Sequence, residues 1–372
     1  MTFMRARAFA VGCAVAVVSL FFAVSVGGVA EARSKKQKEP IVVALPPPEP
    51  EIPVGPPVLA RYVIDTASAY ATYMRTASGI GARFADGPSV LTALQTGVHS
   101  EQHQMQQGIV AYAAIIALQD PAFVAAIRGF ASHASTRDAM VRYILTDPNY
   151  VLALPGHETA AGLIVATLHA QAAQLESAGE AVRKSSYDIQ LKSPWSKKPA
   201  PNQAATLAQA KMLSSSAILP AEDLAALLAG ASSGSAPMSV AAASAAAGPQ
   251  SQSVVRGMAL AALAVLGKAG DADTAYIMPL LVNDGDGFCF NMSKLNLYQC
   301  LSVARPYYED VYCLGLHAMA DTGRCVKGAL EPPDVDTKLS PSLIAASTTG
   351  GAAPAVSSVS NSGPLSVAPL AQ

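Results

Sequence analysis

Apolar side chains recur every three to four residues along most of this chain, and strict alternation of apolar and polar positions is scarce. The first spacing places apolar residues on one face of an α-helix, whereas alternation would indicate a β-strand. We therefore predict an all-α protein. The predicted helices cover residues 58–77, 136–145, 158–189, 204–213 and 220–228, with almost wholly apolar, buried segments at 108–118 and 254–266.

A short motif occurs twice and indicates how the helices are arranged. Asp120-Pro121-Ala122-Phe123-Val124 returns as Asp147-Pro148-Asn149-Tyr150-Val151. Aspartate is a favoured N-cap residue, and proline suits the first position of a helix. Two copies, together with a further predicted helix pair within 254–281, favour a multi-helix bundle or a short HEAT-like stack of helix pairs.

The stretch 289–325 predicts an antiparallel helical hairpin that turns at Arg305-Pro306, because proline cannot continue the first helix. It contains four cysteines, namely Cys289, Cys300, Cys313 and Cys325. Eleven residues of helix span roughly 16 Å, whereas a disulfide requires Cα atoms within about 7 Å. Pairing along one helix and crossed pairing both fail on that distance. Nested disulfides, Cys289–Cys325 and Cys300–Cys313, satisfy it.

The position of Cys325 around the second helix does not fit the nested pairing as the spacing stands. Cys289 and Cys300 share a helix face, but Cys325 is out of phase with Cys313. We expect Gly323 to end the second helix and to leave Cys325 free to move.

The alternative use of four cysteines is a zinc site, but the gaps of ten, twelve and eleven residues are unlike the close pairs of structural zinc sites. His317, four residues after Cys313, is expected to be an ordinary helix residue.

The N-terminus has the features of a secretory signal peptide, predicted to occupy residues 1–32. Arg5 and Arg7 precede an uncharged apolar run, and Ala30-Glu31-Ala32 has the small-x-small form of a cleavage site. Cys13 falls within the apolar run. An uncleaved membrane anchor is the alternative. Export agrees with disulfides, which persist in oxidising compartments, so we expect a periplasmic or secreted protein.

Composition divides the rest of the chain. We predict a Pro-rich linker at 33–57, a helical domain at 58–228, a low-complexity linker at 229–252, a helical segment with both disulfides at 253–330 and a disordered tail at 331–372. The two helical parts could form one core or two. The net charge of -1 indicates neither a nucleic-acid partner nor an anionic membrane; membrane contact is expected only if the leader is retained.

His99 and His103 are the strongest candidates for metal or hydrolytic chemistry. They are four residues apart in a polar segment predicted to be helical, so they could share a helix face and a metal ion. Ser100 stands where a metalloprotease motif requires glutamate. A catalytic site would need a carboxylate, or one of His133, His157 and His169, to join them. A solvated helix face is the simpler interpretation.

Other motifs are weaker. Residues 230–234 match the serine-hydrolase elbow in letters, but they fall in the predicted linker and not at a strand-to-helix turn. Residues 283–287 resemble the start of a calcium loop, with Phe288 where an oxygen ligand is needed. Glu309 and Asp310 point to different helix faces and suit the positive end of a helix dipole. The tyrosines could form an exposed aromatic surface, or divide between core and edge: Tyr298, Tyr307, Tyr308 and Tyr312.

Two stretches resemble a known family. AYAAIIALQDPAFV at 111–124 and CFNMSKLNLYQCLSVARPYYEDVYCLG at 289–315 are similar to a family of secreted proteins of alphaproteobacteria for which no activity is known. The resemblance covers most of 58–325. It implies a location in the cell envelope and implies no catalytic residues.

These observations favour a non-enzymatic envelope protein that binds another protein or cell-wall material, without a cofactor. The alternative is a periplasmic metal-dependent or hydrolytic enzyme that uses His99 and His103. An enzyme should gather those histidines in a concave site. A binding protein should instead present an exposed apolar or aromatic patch.

Overall fold

The computed structural model describes residues 49–282 and 287–332, and no strand occurs in these two ranges. The helices are α1 Arg61–Ser78, α2 Gly87–Gly97, α3 Gln102–Ala117, α4 Pro121–Ala131, α5 Ala134–Thr146, α6 His157–Lys192, α7 Gln203–Leu213, α8 Glu222–Ser233, α9 Gln252–Val265, α10 Thr274–Leu281, α11 Gly287–Val303, α12 Tyr307–Cys313 and α13 Asp321–Gly328. Short 3₁₀ turns cover Pro148–Ala153, Pro194–Lys197 and Asp271–Asp273. The all-α prediction is confirmed.

The repeated Asp-Pro motif starts two different structures. The Asp120 carboxylate accepts a hydrogen bond from the Phe123 amide at 2.9 Å and caps α4 as predicted. The Asp147 carboxylate instead accepts from the Asn149 amide, and the residues after it form a 3₁₀ turn and not an α-helix.

The centre of the core is α3, which packs against α1, α6 and α9. Residues 108–117 are all buried, as the apolar run predicts. Glycines bring the helix axes close together: a Cβ on Gly108 would lie 2.4 Å from Tyr70 Cβ, and one on Gly257 would lie 2.6 Å from Ala113 Cβ. Because α9 lies on α3, the segment 253–330 packs against the helices of 58–228.

The longest helix, α6, spans about 54 Å and supports the C-terminal hairpin. Gly179 of α6 lies against Gly315 of the hairpin. Closer to the N-terminus of α6, Ala172 and Glu176 lie against Gly323 of the hairpin. Arg324 reinforces this contact with ion pairs to Glu176 at 3.0 Å and to Glu180 at 2.6 Å.

Both disulfides are present in the nested arrangement, Cys289–Cys325 and Cys300–Cys313, with Cα–Cα distances of 5.5 and 5.7 Å. The prediction that Gly323 ends the second helix is wrong, because helical structure continues to Gly328. Residues Leu314–Ala320 form a π-helix between α12 and α13. An α-helix turns about 100° per residue, so twelve residues would leave Cys325 far out of phase with Cys313. A π-helix has more residues per turn than an α-helix, so this segment accommodates one additional residue and brings Cys325 back into phase with Cys313.

The low-complexity stretch 229–252 contains the end of α8 and then a non-helical segment that lies along α6. The Ala241 amide donates to Thr167 Oγ1 at 3.0 Å, and the Ala246 amide donates to the Glu158 carbonyl at 2.9 Å. Gly162 permits this approach, since a Cβ there would lie 2.0 Å from the Ser244 carbonyl oxygen.

Part of the Pro-rich stretch also contacts the helices, through a 2.6 Å hydrogen bond from the Ile52 amide to the Ser132 carbonyl. The predicted leader at 1–32, the start of the Pro-rich linker and nearly all of the predicted tail lie outside the described residues. Within the described part of the chain, no single helix has the length and hydropathy to cross a membrane. Helices α3 and α4 reach that threshold only as a pair, which is bent by 84°.

Candidate functional site

An apolar pocket lies where α6 meets the turn of the hairpin. We call it the tyrosine pocket. Its volume is about 160 Å³, and its lining consists of Ser186, Tyr187, Gln190, Cys300, Val303, Ala304, Tyr308, Glu309, Tyr312 and Cys313. The Cys300–Cys313 disulfide thus forms one wall, joining the end of α11 to the end of α12. The pocket depends on the hairpin being closed.

The spacing of residues along the helices explains which side chains line this pocket. Tyr308 and Tyr312 are four residues apart on α12 and so project from the same face. Tyr187 comes from α6, and its ring meets that of Tyr312 edge-on with centroids 6.1 Å apart. Val303 ends α11 and is 72% exposed, while Tyr187 is 51% exposed. Apolar surface of this kind, concave and open to solvent, marks an interaction site more often than scattered single residues do.

The rim of the tyrosine pocket is polar and hydrogen-bonded. Tyr308 donates its hydroxyl proton to Glu309 Oε1 at 3.3 Å, and Glu309 Oε2 accepts a hydrogen bond from the Arg305 amide at 2.8 Å. Gln190, which is partly buried, completes the edge on α6. An apolar centre with a polar rim is the usual arrangement of a protein-binding surface.

Two of the four tyrosines singled out in the sequence line this pocket, and two lie elsewhere. Tyr298 hydrogen-bonds to Ser214, with the Lys211 ammonium 5.6 Å from its ring centroid. Tyr307 packs on Trp195, with ring centroids 6.1 Å apart.

A buried carboxyl group belongs to the turn beside the tyrosine pocket. Asp310 is fully buried, while the neighbouring Glu309 is only partly buried, so the two carboxyl groups face apart as predicted. Burial raises the pKa of Asp310 to about 6; the nearby charge of Glu309 adds to the effect, and a 2.7 Å hydrogen bond from Gln203 opposes it. Among the described residues, Asp310 Oδ2 has no hydrogen-bond partner. The position in the first turn of α12 therefore compensates only part of the cost of burial.

The predicted histidine pair is not on one helix face. Glu101 caps α3, so His99 precedes the helix and His103 lies in its first turn. His99 lines a cleft with α1, α2 and α7, whereas His103 lines another with Leu281 and Phe288. Within 49–282 and 287–332, no three His, Cys, Asp or Glu side chains gather as metal ligands.

Three of the remaining histidines have local partners. His157 Nδ1 is 2.8 Å from the Leu154 carbonyl oxygen, and His133 Nδ1 is 3.0 Å from Ser132 Oγ. His317 Nδ1 lies 2.8 Å from Asp321 Oδ2. His169 occupies the middle of α6.

The two weaker motifs have different outcomes. The elbow-like residues Gly230 to Gly234 form the C-terminal turn of α8, and the Ser232 hydroxyl is buried and donates to the Ala229 carbonyl at 2.9 Å. This serine is not raised on a strand-to-helix turn. Residues 283–286 of the calcium-like stretch lie outside the described residues, and Gly287 begins α11.

Comparisons with models of protein families, with curated proteins and with solved structures give no match. The description of the protein therefore rests on its fold and its two disulfides. The chain is an all-α protein whose C-terminal hairpin is closed by two disulfides, and such bonds suggest an oxidising compartment reached by export.

Proposed function

We propose that this chain is an exported binding protein of the cell envelope, and that a partner protein inserts an apolar side chain into the tyrosine pocket. The observation that carries the proposal is the pocket itself, which is apolar, concave and open to solvent beside a disulfide. The signal-like leader at 1–32 and the two disulfides support a periplasmic or secreted location.

The size of the tyrosine pocket suits one side chain of the partner. A buried apolar cavity of roughly 150 Å³ holds a molecule of benzene, and the pocket measures about 160 Å³. A phenylalanine or leucine side chain is therefore the expected anchor. Such anchors carry most of the binding energy of many protein interfaces when the residues around them exclude water.

The side chains around the pocket also favour a protein partner. Tyrosine supplies a large contact area while losing few rotatable bonds, and it is enriched at protein interfaces. Val303 would be covered on binding, which removes apolar surface from water. Both carboxylate oxygens of Glu309 already accept a hydrogen bond, one from the Tyr308 hydroxyl and one from the Arg305 backbone amide, so they keep hydrogen-bond partners when a partner protein covers them.

The test is site-specific photo-crosslinking in intact cells. A photoreactive phenylalanine analogue would replace Tyr187 at the pocket or, as a control, Tyr276 on α10, which is 66% exposed. Each version would also carry Val303→Glu, which places a charge at the mouth of the pocket, or Leu191→Glu. Leu191 is 77% exposed on α6 and does not line the pocket.

The proposal predicts one defined protein adduct at position 187 that Val303→Glu abolishes and Leu191→Glu preserves, with equal melting temperatures for the two variants. The adduct should map to a segment of the partner that contains phenylalanine or leucine. An adduct profile at 187 that matches the one at 276, or an adduct that survives Val303→Glu, would contradict the proposal.

A further inference from the structure

A second concave site, separate from the tyrosine pocket, lies between α1, α2 and α7. We call it the threonine cleft. Its volume is about 470 Å³, and it is lined by Thr72, Tyr73, Thr76, Thr92, Gln95, Thr96, His99, Gln209, Leu213, Ile218 and Leu219. The lining contains no aspartate, glutamate, lysine or arginine. The volume lies in the range of ordinary small-molecule sites.

The threonine hydroxyl groups in the cleft are left as hydrogen-bond acceptors. Thr76 donates its proton to the Thr72 carbonyl at 2.9 Å, Thr92 to the Pro88 carbonyl at 3.1 Å, and Thr96 to the Thr92 carbonyl at 3.1 Å. Each hydroxyl has one proton and two lone pairs. With the proton committed to the helix backbone, each hydroxyl offers lone pairs to a ligand.

His99 adds another acceptor to the cleft. Its Nε2 lies 3.2 Å from the Ala217 carbonyl oxygen and 3.1 Å from Ser216 Oγ. The Ser216 hydroxyl donates its own proton to the Leu213 carbonyl at 2.9 Å. Both neighbours of Nε2 are therefore acceptors, so the network assigns the proton of the neutral ring to Nε2 and leaves a lone pair on Nδ1.

A glutamine pair and an apolar wall complete the cleft. Gln95 Nε2 donates to Gln209 Oε1 at 3.1 Å, which links α2 to α7 and leaves Gln95 Oε1 as an acceptor and Gln209 Nε2 as a donor. Leu213, Ile218 and Leu219 form the wall, and Leu219 is 78% exposed.

From this chemistry we infer that the threonine cleft binds an uncharged saccharide chain, such as the glycan of cell-wall material. A saccharide has many hydroxyl groups that can rotate to donate to fixed acceptors, and the C–H face of a sugar ring can pack on the leucine wall. An anion would need more donors than the cleft has, and a metal ion would need carboxylates. A peptide backbone presents as many acceptors as donors, which matches an acceptor-rich surface less well.

The test is isothermal titration of the purified, oxidised protein with a tetramer of N-acetylglucosamine. A neutral peptide of glycine, serine and alanine is the competing probe. The double variant Thr92→Val, Thr96→Val keeps the branched shape of both side chains and removes two acceptors. Thr159→Val, on an exposed threonine at the start of α6, is the matched control.

We expect the saccharide to bind, the double variant to weaken binding by about tenfold, as for two neutral hydrogen bonds, and Thr159→Val to bind like the wild type. Binding of the peptide in preference to the saccharide, absence of saccharide binding, or equal affinity of the double variant would overturn the inference. The tyrosine pocket is intact in all these variants, so either result leaves the proposed protein partner to its own test.

Discussion

Replacing Gly315 with alanine should force α6 and the hairpin apart. Gly315 lies in the π-helical segment at the point where the hairpin crosses α6. A Cβ there would lie 2.3 Å from the Arg183 amide nitrogen and 2.7 Å from the Gly179 carbonyl oxygen. Both atoms belong to the backbone of α6, so no flexible side chain can move aside to make room.

The distances set the size of the effect. Non-bonded carbon contacts are most favourable at about 3.5–4.0 Å, so the helices would have to separate by about 1 Å. Overpacking of this kind costs about 1–3 kcal/mol and occasionally more. Alanine regains up to about 1 kcal/mol of helix propensity. We therefore expect a net loss of about 2 kcal/mol, which lowers the melting temperature of a domain this size by about 4–8 °C.

The assay is denaturant unfolding of oxidised protein, with Gly328→Ala as the matched control. Gly328 ends α13, and a Cβ there would have no neighbour within 4 Å in the described part of the chain. That variant should be as stable as the wild type, or more stable by up to about 1 kcal/mol. Equal stability of the two alanine variants would refute the close crossing of the hairpin and α6. A mass measurement on each variant would show that both disulfides had formed.

Three further predictions concern the hairpin turn and the core. Replacing both Cys300 and Cys313 with serine opens a loop with a sequence separation of 13 residues, and thermal unfolding should show a loss of about 3 kcal/mol; an unchanged melting temperature would contradict a stabilising disulfide. The pKa of Asp310 is raised to about 6, so the folded state binds the extra proton. The free energy of unfolding should therefore fall by at most about 3 kcal/mol as pH rises from about 4 to 6, relative to Asp310→Asn, and parallel pH profiles of the two proteins would refute this. Tyr70→Phe removes a buried hydroxyl group that has no partner among the described residues, whereas Tyr73→Phe removes one that donates its proton to the Ala318 carbonyl at 2.9 Å, with the Gly97 carbonyl 3.3 Å away; only the second should cost about 1–3 kcal/mol in chemical denaturation, and equal losses would contradict the hydrogen bond of Tyr73.

The helices and the disulfides could be predicted because they depend on local spacing. Apolar periodicity located the helices, and the rise of an α-helix was enough to exclude every pairing of the four cysteines except the nested one. The π-helix could not be found in the same way. No residue pattern in Leu314–Ala320 predicts a π-helix. The wider turn fits the packing of this segment against α6, a helix that is distant in the sequence.

The sites depend on contacts between distant parts of the chain. Tyr187 reaches the tyrosine pocket from α6, far in sequence from Tyr308 and Tyr312, and nothing in its own neighbourhood indicates that role. The prediction that His99 and His103 share a helix face is wrong for a local reason. The Glu101 side chain accepts a hydrogen bond from the Gln104 amide at 2.7 Å and starts a new helix between the two histidines. The residues on both sides of this helix start are polar, so composition did not indicate where the helix begins.

The threonine cleft was missed because its residues come from separate helices. Thr76 belongs to α1, Thr92 and Thr96 to α2, and Gln209 to α7. Each threonine alone is an unremarkable helix residue that bonds to its own backbone. Only their arrangement around one cleft produces a surface rich in acceptors and free of charge.

The most direct test of the closed hairpin is the mass of the intact protein before and after reduction, combined with peptide mapping and metal analysis on the same sample. The two nested disulfides predict a gain of four hydrogen atoms on reduction, no bound metal, and linked peptides that join Cys289 to Cys325 and Cys300 to Cys313. Free thiols, a different pairing or stoichiometric zinc would contradict the closed hairpin, and with it the wall of the tyrosine pocket on which the proposed function rests.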